Sequence, residues 1–96
     1  MPKQYPPLTP ADVVKILLVR GFVWERTRAS HEFYRGTVRG RVCNVTVDRH
    51  YPEFDVKRVR DMIDQSGLTR EEFFGSTKET ARKINLAASE YPIPLK

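Results

Sequence analysis

Apolar residues recur at helical spacing near the start of the chain. The stretch begins at Thr9, a favourable N-cap that is followed by proline. It ends at Gly21, because glycine can take the left-handed conformation that terminates a helix. The apolar side chains that share one face are Val13, Ile16 and Leu17. The pattern predicts a first helix whose apolar stripe faces a core.

After this helix, apolar and polar residues alternate one by one, which is typical of β-strands. The three candidate strands are residues 22–27, 30–35 and 41–48. Arg28 and Ala29 alone separate the first two strands, and a loop around Gly36 and Gly40 joins the second to the third. Connections this short make antiparallel hairpins, so we expect a three-stranded antiparallel sheet.

Helical periodicity returns in the second half of the chain. Asp55 is a suitable cap for a helix that ends at Gly67. The apolar face of this helix consists of Val56, Val59, Met62 and Ile63. Thr69 and Glu72 have the spacing of a capping box, which predicts a short helix after them. Residues 76–90 predict a last helix, whose inward-facing residues are Ala81, Ile84 and Ala88.

The order of these elements predicts an α+β fold in two layers, with helices covering one face of the sheet. A chain of 96 residues argues for one domain. We expect that domain to cover residues 9–74, between a loose, proline-rich arm at 1–8 and a helical extension at 75–96. The other face of the sheet is then free to carry polar side chains.

Composition narrows the class of protein. No stretch approaches the ~20 apolar residues of a membrane span, and the first ten residues lack the apolar run of a signal peptide. The sequence therefore favours a soluble cytoplasmic protein with no membrane partner. Its single cysteine, Cys43, allows neither an intrachain disulfide nor a cysteine-based zinc site. The apolar alternation around Cys43 favours a small core residue.

The net charge of +5 arises entirely in the first half of the chain. Residues 1–50 carry nine basic and four acidic side chains, whereas residues 51–96 carry eight of each. Every basic residue between positions 20 and 49 is an arginine, namely Arg20, Arg26, Arg28, Arg35, Arg39, Arg41 and Arg49. Arginine binds phosphate through two parallel hydrogen bonds, so this pattern indicates nucleic acid as a ligand. The alternative is a solvated basic surface without a ligand.

The chain contains two histidines, which could act in catalysis or bind a metal. Neither has neighbouring residues that would complete a metal site. His31 and His50 lie 19 residues apart without the local spacing of a metal site, so no metal or other cofactor is expected. Ser30 adjoins His31, but adjacent residues of a regular strand point to opposite faces. This geometry argues against a serine nucleophile, and Ser30 is better suited to bonding local backbone.

General acid–base catalysis by His31 is the stronger hypothesis. An imidazole both takes and gives a proton near neutral pH. Cleavage of RNA through its 2′-hydroxyl needs such a group together with cations at the phosphate. Alternation places Arg35 on the strand face of His31, Arg28 lies in the preceding turn, and Arg26 is a third candidate cation. The alternative is a structural histidine at a polar strand end.

Aromatic residues within the arginine-rich strands could either stack on bases or belong to the core. Their spacing at period two favours the core for Phe22, Trp24 and Phe33. The hydroxyl of Tyr34 needs a wet or hydrogen-bonded position, which leaves both places open for this residue.

The order of elements and a set of residues resemble the HicA toxins of bacterial and archaeal toxin–antitoxin pairs. The similarity covers residues from about 9 to 74. The family pattern has glycine–phenylalanine after the first helix, an arginine late in the first strand, and a basic residue, glycine, serine and histidine at the hairpin. The residues at these places here are Gly21, Phe22, Arg26, Arg28, Ala29, Ser30 and His31, and the aromatic pair Phe33 and Tyr34 follows.

The resemblance implies a small ribonuclease with a fold like that of a double-stranded-RNA-binding domain. Members of the family cut mRNA without a metal and thereby inhibit translation, and a cognate HicB antitoxin covers their essential histidine. By this match His31 is the catalytic residue. The residues expected to hold RNA around it are Arg26, Arg28, Ser30, Arg35 and Arg49.

One position departs from the family pattern, which has glycine where this chain has Ala29. Glycine there allows a positive φ or the close approach of an RNA backbone, and a methyl group could hinder either. The departure motivates an alternative function, a non-catalytic module on the same fold that binds RNA or a protein partner.

Overall fold

Four helices and three strands occur within residues 4–95, the part of the chain that a computed structural model describes. They are α1 (Pro10–Val19), β1 (Val23–Arg28), β2 (His31–Val38), β3 (Arg41–Asp48), α2 (Val56–Ser66), α3 (Arg70–Phe74) and α4 (Lys78–Arg82). The strands form one antiparallel sheet in the order β1-β2-β3. The predicted α+β fold is confirmed, and it is consistent with that of a double-stranded-RNA-binding domain.

Side-chain caps set where the helices begin, as the sequence predicts. Thr9 and Asp12 form a capping box at the start of α1, in which each side chain accepts from the other residue's backbone N–H. Thr69 and Glu72 repeat this arrangement at α3. Asp55 caps α2 through its carboxylate. Within residues 4–95, none of the helices has the length and apolarity that crossing a bilayer requires.

The helices cover one face of the sheet, here called the inner face, and they contact mainly β3. The buried strand residues on this face are Tyr34, Val38, Val45 and Val47. The helix residues buried with them include Val13, Ile16, Leu17, Val59, Met62 and Ile63. Phe22 joins this core as predicted, and Cys43 packs against it while partly exposed. Val56, predicted on the apolar face of α2, is exposed instead because it lies in the first turn.

The helices pack mainly on β3, and the side chains of β1 are exposed along its whole length. The core position predicted for Trp24 is therefore wrong: its side chain is 56% exposed and its indole N–H donates to Thr27. Phe33 lies on the opposite, outer face and is only partly buried there. Tyr34 is buried on the inner face, where its hydroxyl donates to Glu32.

The chain after α3 is less helical than the sequence predicts. Helix α4 ends at Arg82, and Asn85 then takes a positive φ of 55°, which is incompatible with a continuing helix. Ala88, predicted to face inward, is exposed. The segment folds back on the domain, and the N–H of Ile93 donates to the carbonyl of Gly75 at 3.0 Å.

The turn between β1 and β2 holds Ala29 at a positive φ of 54°, in the left-handed region that disfavours side chains. We predict that Ala29→Gly raises the free energy of unfolding by about 1 kcal/mol, because glycine adopts this conformation without the steric cost of a Cβ atom. Urea denaturation of the two proteins measures the difference. An unchanged or lower denaturation midpoint would show that the alanine is not strained.

Candidate active site

Three residues from three strands are neighbours at one end of the outer face of the sheet. His31 begins β2, and the register pairs it with Arg28 of β1 on one side and Asp48 of β3 on the other. Residues that oppose each other across antiparallel strands project from the same face, so the side chain of His31 projects between those of Arg28 and Asp48. These three residues are called the strand-end site below.

The carboxylate of Asp48 connects the parts of this site. Its Oδ2 lies 3.3 Å from Nε2 of His31. Its Oδ1 accepts hydrogen bonds from the hydroxyl of Ser30 at 2.6 Å and from the backbone N–H of His50 at 2.9 Å. The Ser30 hydroxyl foremost, and then the His50 N–H, hold the pKa of Asp48 below its ordinary value. The carboxylate is therefore ionised beside the imidazole at neutral pH.

The ring of His31 is open to solvent, since 48% of its side chain is exposed. With Nε2 turned toward Asp48, Nδ1 is the nitrogen left for another molecule. A carboxylate that holds one nitrogen of a histidine fixes the orientation and the tautomer of the ring, which prepares it for proton transfer. Within residues 4–95, no three His, Cys, Asp or Glu side chains come together as metal ligands would.

Three arginines predicted to bind phosphate lie on the outer face beside His31. The guanidinium of Arg28 has no ion-pair, hydrogen-bond or ring partner among residues 4–95. That of Arg26 stacks over Phe33, 4.5 Å from the ring centroid. Arg35 lies 3.7 Å from Glu25 in an exposed ion pair, a kind of contact that contributes little free energy. All three guanidinium groups are accessible to an anion on this face.

Arg49, also predicted to bind RNA, has a partner inside the protein. Its Nε donates to Oε1 of Glu32 at 2.8 Å, and the hydroxyl of Tyr34 donates to the same oxygen at 2.9 Å. Burial raises the pKa of Glu32, but the hydrogen bonds from Arg49 and Tyr34 outweigh burial and leave this pKa below its ordinary value. The ion pair fixes the turn after β3, while 42% of the Arg49 side chain stays exposed.

Two further arginines of the basic half are built into the fold. Arg39 donates two hydrogen bonds of 2.9 Å to the carboxylate of Glu72, whose side chain is only 3% exposed. Arg20 donates to the hydroxyl of Ser76 at 2.9 Å and to the carbonyls of Glu72 and Ile93 at 2.7 and 2.6 Å. The basic excess of the sequence therefore overstates how many cations can meet a ligand.

Sequence reasoning missed the contact between Asp48 and His31. The feature that could have revealed this contact is the turn at Arg39 and Gly40. These two residues have positive φ and set the register between β2 and β3. The predicted loop began too early, inside β2, and so did not give this register. Ser30, predicted to bind RNA, donates its hydroxyl to Asp48 and thereby supports the site from the turn.

Comparison with models of protein families places the chain within a known group. The model described as "HicA toxin of bacterial toxin-antitoxin" matches residues 10–68. This match covers more than half of the chain and includes α1, the whole sheet and α2. No curated protein and no solved structure matches the chain.

Proposed function

The chain belongs to the HicA toxin family, and we propose that it is an endoribonuclease that cleaves mRNA without a metal ion and so inhibits translation. The toxin role follows from the family. The substrate and the reaction are inferred from the strand-end site. An mRNA substrate also implies that the protein acts in the cytoplasm, where mRNA is translated.

One observation carries this proposal: an exposed imidazole lies beside an ionised carboxylate, and its other register neighbour is a guanidinium that has no partner among residues 4–95. His31 supplies an imidazole, a group that can both accept and give a proton in catalysis. Asp48 lies 3.3 Å from its Nε2 and stabilises positive charge on the ring. Arg28 is the register neighbour of His31 on the other side. Metal-free cleavage of RNA needs this combination of a base and a cation.

In the proposed reaction, Nδ1 of His31 takes the proton of a ribose 2′-hydroxyl, and the freed oxygen attacks the adjacent phosphorus. The bond from phosphorus to the 5′-oxygen of the next nucleotide breaks, and that oxygen takes a proton from water. The products are a 2′,3′-cyclic phosphate and a 5′-hydroxyl end. The imidazolium, stabilised by Asp48, afterwards returns its proton to water.

The arginines of the outer face offset the negative charge that develops on the phosphate. Arg28 takes the reacting phosphate, because it is opposite His31 in the sheet. Arg26 and Arg35 lie further along the same face and hold the neighbouring phosphates. Ser30 acts through Asp48, and Arg49 contributes positive charge at the end of the sheet rather than a contact with the reacting phosphate.

We predict that Asp48→Asn lowers the rate of RNA cleavage about tenfold and leaves the affinity for RNA nearly unchanged. Asparagine keeps an oxygen that can accept from Ser30 and His50, but it removes the charge that stabilises the imidazolium of His31. Single-turnover cleavage at saturating protein, with RNA binding measured separately, distinguishes the two effects. Weaker binding with an unchanged saturated rate would instead assign Asp48 to holding the substrate.

A HicB-type antitoxin is the proposed protein partner, because the family is that of bacterial toxin–antitoxin pairs. The outer face is the surface such a partner would need to cover, since it carries His31 and the helices pack on the opposite side. Two exposed apolar side chains on this face, Val23 and Val42, offer the partner a place to pack.

Expression in bacterial cells tests the proposed function. The wild-type protein should arrest growth and deplete full-length mRNA, and the His50→Ala protein should do the same. The His31→Ala protein should do neither. Co-expression of a HicB-type antitoxin should restore growth to cells that produce the wild type. Intact mRNA in every strain would reject the enzyme and favour the alternative, a non-catalytic module that binds RNA or protein.

A further inference from the structure

A cavity of about 240 Å³ lies between β3 and α2, beside the strand-end site. Its walls include Thr46, Asp48, Tyr51, Arg58, Asp61 and Gln65. Asp48 belongs to both places, because its carboxylate contacts His31 and also lines the cavity. A chemical group that contacts Asp48 inside the cavity is therefore one side chain away from the imidazole.

We propose that this cavity binds a purine base, and guanine in preference to adenine, from the nucleotide whose 2′-hydroxyl attacks the phosphorus. The inference rests on the proposed function and adds to it a determinant of sequence preference. The cavity has room for a planar two-ring base. The ribose of that nucleotide then lies at the mouth of the cavity, where Asp48 and His31 meet.

One wall of the cavity is suited to stacking. The guanidinium carbon of Arg58 lies 4.2 Å from the centroid of the Tyr51 ring. Arg58 is fixed there, because it donates to the Tyr51 hydroxyl at 2.8 Å and to Asp55 at 2.9 Å. Nucleobases stack on tyrosine rings and on guanidinium planes alike. A pair that is already fixed loses little side-chain freedom when a base stacks on it.

Two side chains of α2 can read the edge of the base. Oε1 of Gln65 accepts the backbone N–H of Thr46 at 3.1 Å, which leaves the amide N–H groups to donate to a ligand. The carboxylate of Asp61 offers two oxygens that accept hydrogen bonds. Gln65 can therefore donate into the cavity and Asp61 can accept there.

Guanine matches this pair of side chains best among the four bases. It carries acceptors at N7 and O6 for Gln65 and two donors, at N1 and N2, for the Asp61 carboxylate. A carboxylate that accepts two parallel N–H bonds makes a strong contact. Adenine has only its N6 amine to donate, and the single-ring pyrimidines cover less of the stacking wall.

Titration with the four nucleoside 3′-monophosphates, followed through backbone amide NMR signals, tests this subsite without turnover, because these nucleotides contain no bond that the proposed reaction can cleave. 3′-GMP should bind most tightly and shift the signals of Thr46 and of residues around Asp61 and Gln65. Asp61→Asn should weaken 3′-GMP binding about tenfold. The matched control Asp64→Asn, an exposed carboxylate of the same helix outside the cavity, should leave binding unchanged.

The possible results separate the subsite from the catalytic proposal. Equal affinity for all four nucleotides, or unchanged 3′-GMP affinity in the Asp61→Asn protein, would overturn the subsite even if the protein cleaves RNA. Guanine-selective binding that depends on Asp61 would support the subsite even if the protein cleaves no RNA. In that second case the proposed catalytic function fails on its own.

Discussion

Replacement of His31 by alanine is expected to slow RNA cleavage in vitro by about 10²–10⁴-fold. The neighbouring groups cannot take over its role. The guanidinium of Arg28 carries only N–H donors and no acceptor atom, and the lowered pKa of Asp48 makes that carboxylate a weak base. The measurement is the single-turnover rate on a labelled RNA in the presence of a chelator, with RNA binding recorded in parallel.

The matched control for this substitution is His50→Ala. The His50 ring is exposed and makes an edge contact with Tyr51, with 5.8 Å between the ring centroids. Its backbone N–H, which donates to Asp48, is retained in alanine. We expect the control to cleave RNA at nearly the wild-type rate. Equal losses in the two variants would mean that neither imidazole has a special role.

Replacement of Arg20 by alanine is expected to lower the free energy of unfolding by about 2–3 kcal/mol, because hydrogen bonds to charged donors contribute strongly and their acceptors are partly buried here. The guanidinium joins the end of α1 to α3 and to the C-terminal segment through Ser76, Glu72 and Ile93. Alanine leaves the carbonyl of Ile93 without this donor. Urea denaturation measures the change.

The control for Arg20 is Arg41→Ala, which removes an exposed arginine from the same basic half of the chain. We expect it to leave the denaturation midpoint unchanged, since exposed side chains away from special contacts contribute little. The Arg20→Ala protein should also show faster hydrogen exchange at the amide of Ile93. A midpoint equal to that of the control would contradict the role assigned to Arg20.

Features set by local sequence were predictable. The caps at Thr9, Asp55 and Thr69 depend on residues at most three positions away, and all three begin helices as predicted. The short link at Ala29 likewise identified the β1–β2 hairpin. Ala29 takes the left-handed φ that favours glycine, the residue of the family pattern at this position.

Features set by distant contacts were not predictable. Trp24 alternates like a core residue, but it is exposed because the helices pack on β3 rather than β1. The helix predicted for residues 76–90 stops at Arg82, and the following segment is held by Gly75 and Arg20 instead. Neither outcome follows from the residues of the segment alone.

In the candidate site too, local contacts were predictable and distant contacts were not. The pairing of Arg28 with His31 follows from a hairpin that the sequence shows, whereas the contact with Asp48 depends on the register of the next hairpin. From the sequence alone, all arginines between positions 20 and 49 are equal candidates for binding an anionic ligand. Only the folded structure shows that Arg20 and Arg39 form hydrogen bonds within the protein, whereas Arg28 is exposed to solvent.

The ends of the RNA fragments test the central claim most directly, because they record the route of proton and phosphoryl transfer. Wild-type protein in the presence of a chelator should leave 2′,3′-cyclic phosphate and 5′-hydroxyl ends, detected by mass spectrometry, and the His31→Ala protein should leave almost none. Fragments with 3′-hydroxyl and 5′-phosphate ends, or cyclic phosphates formed equally well without the imidazole of His31, would contradict it.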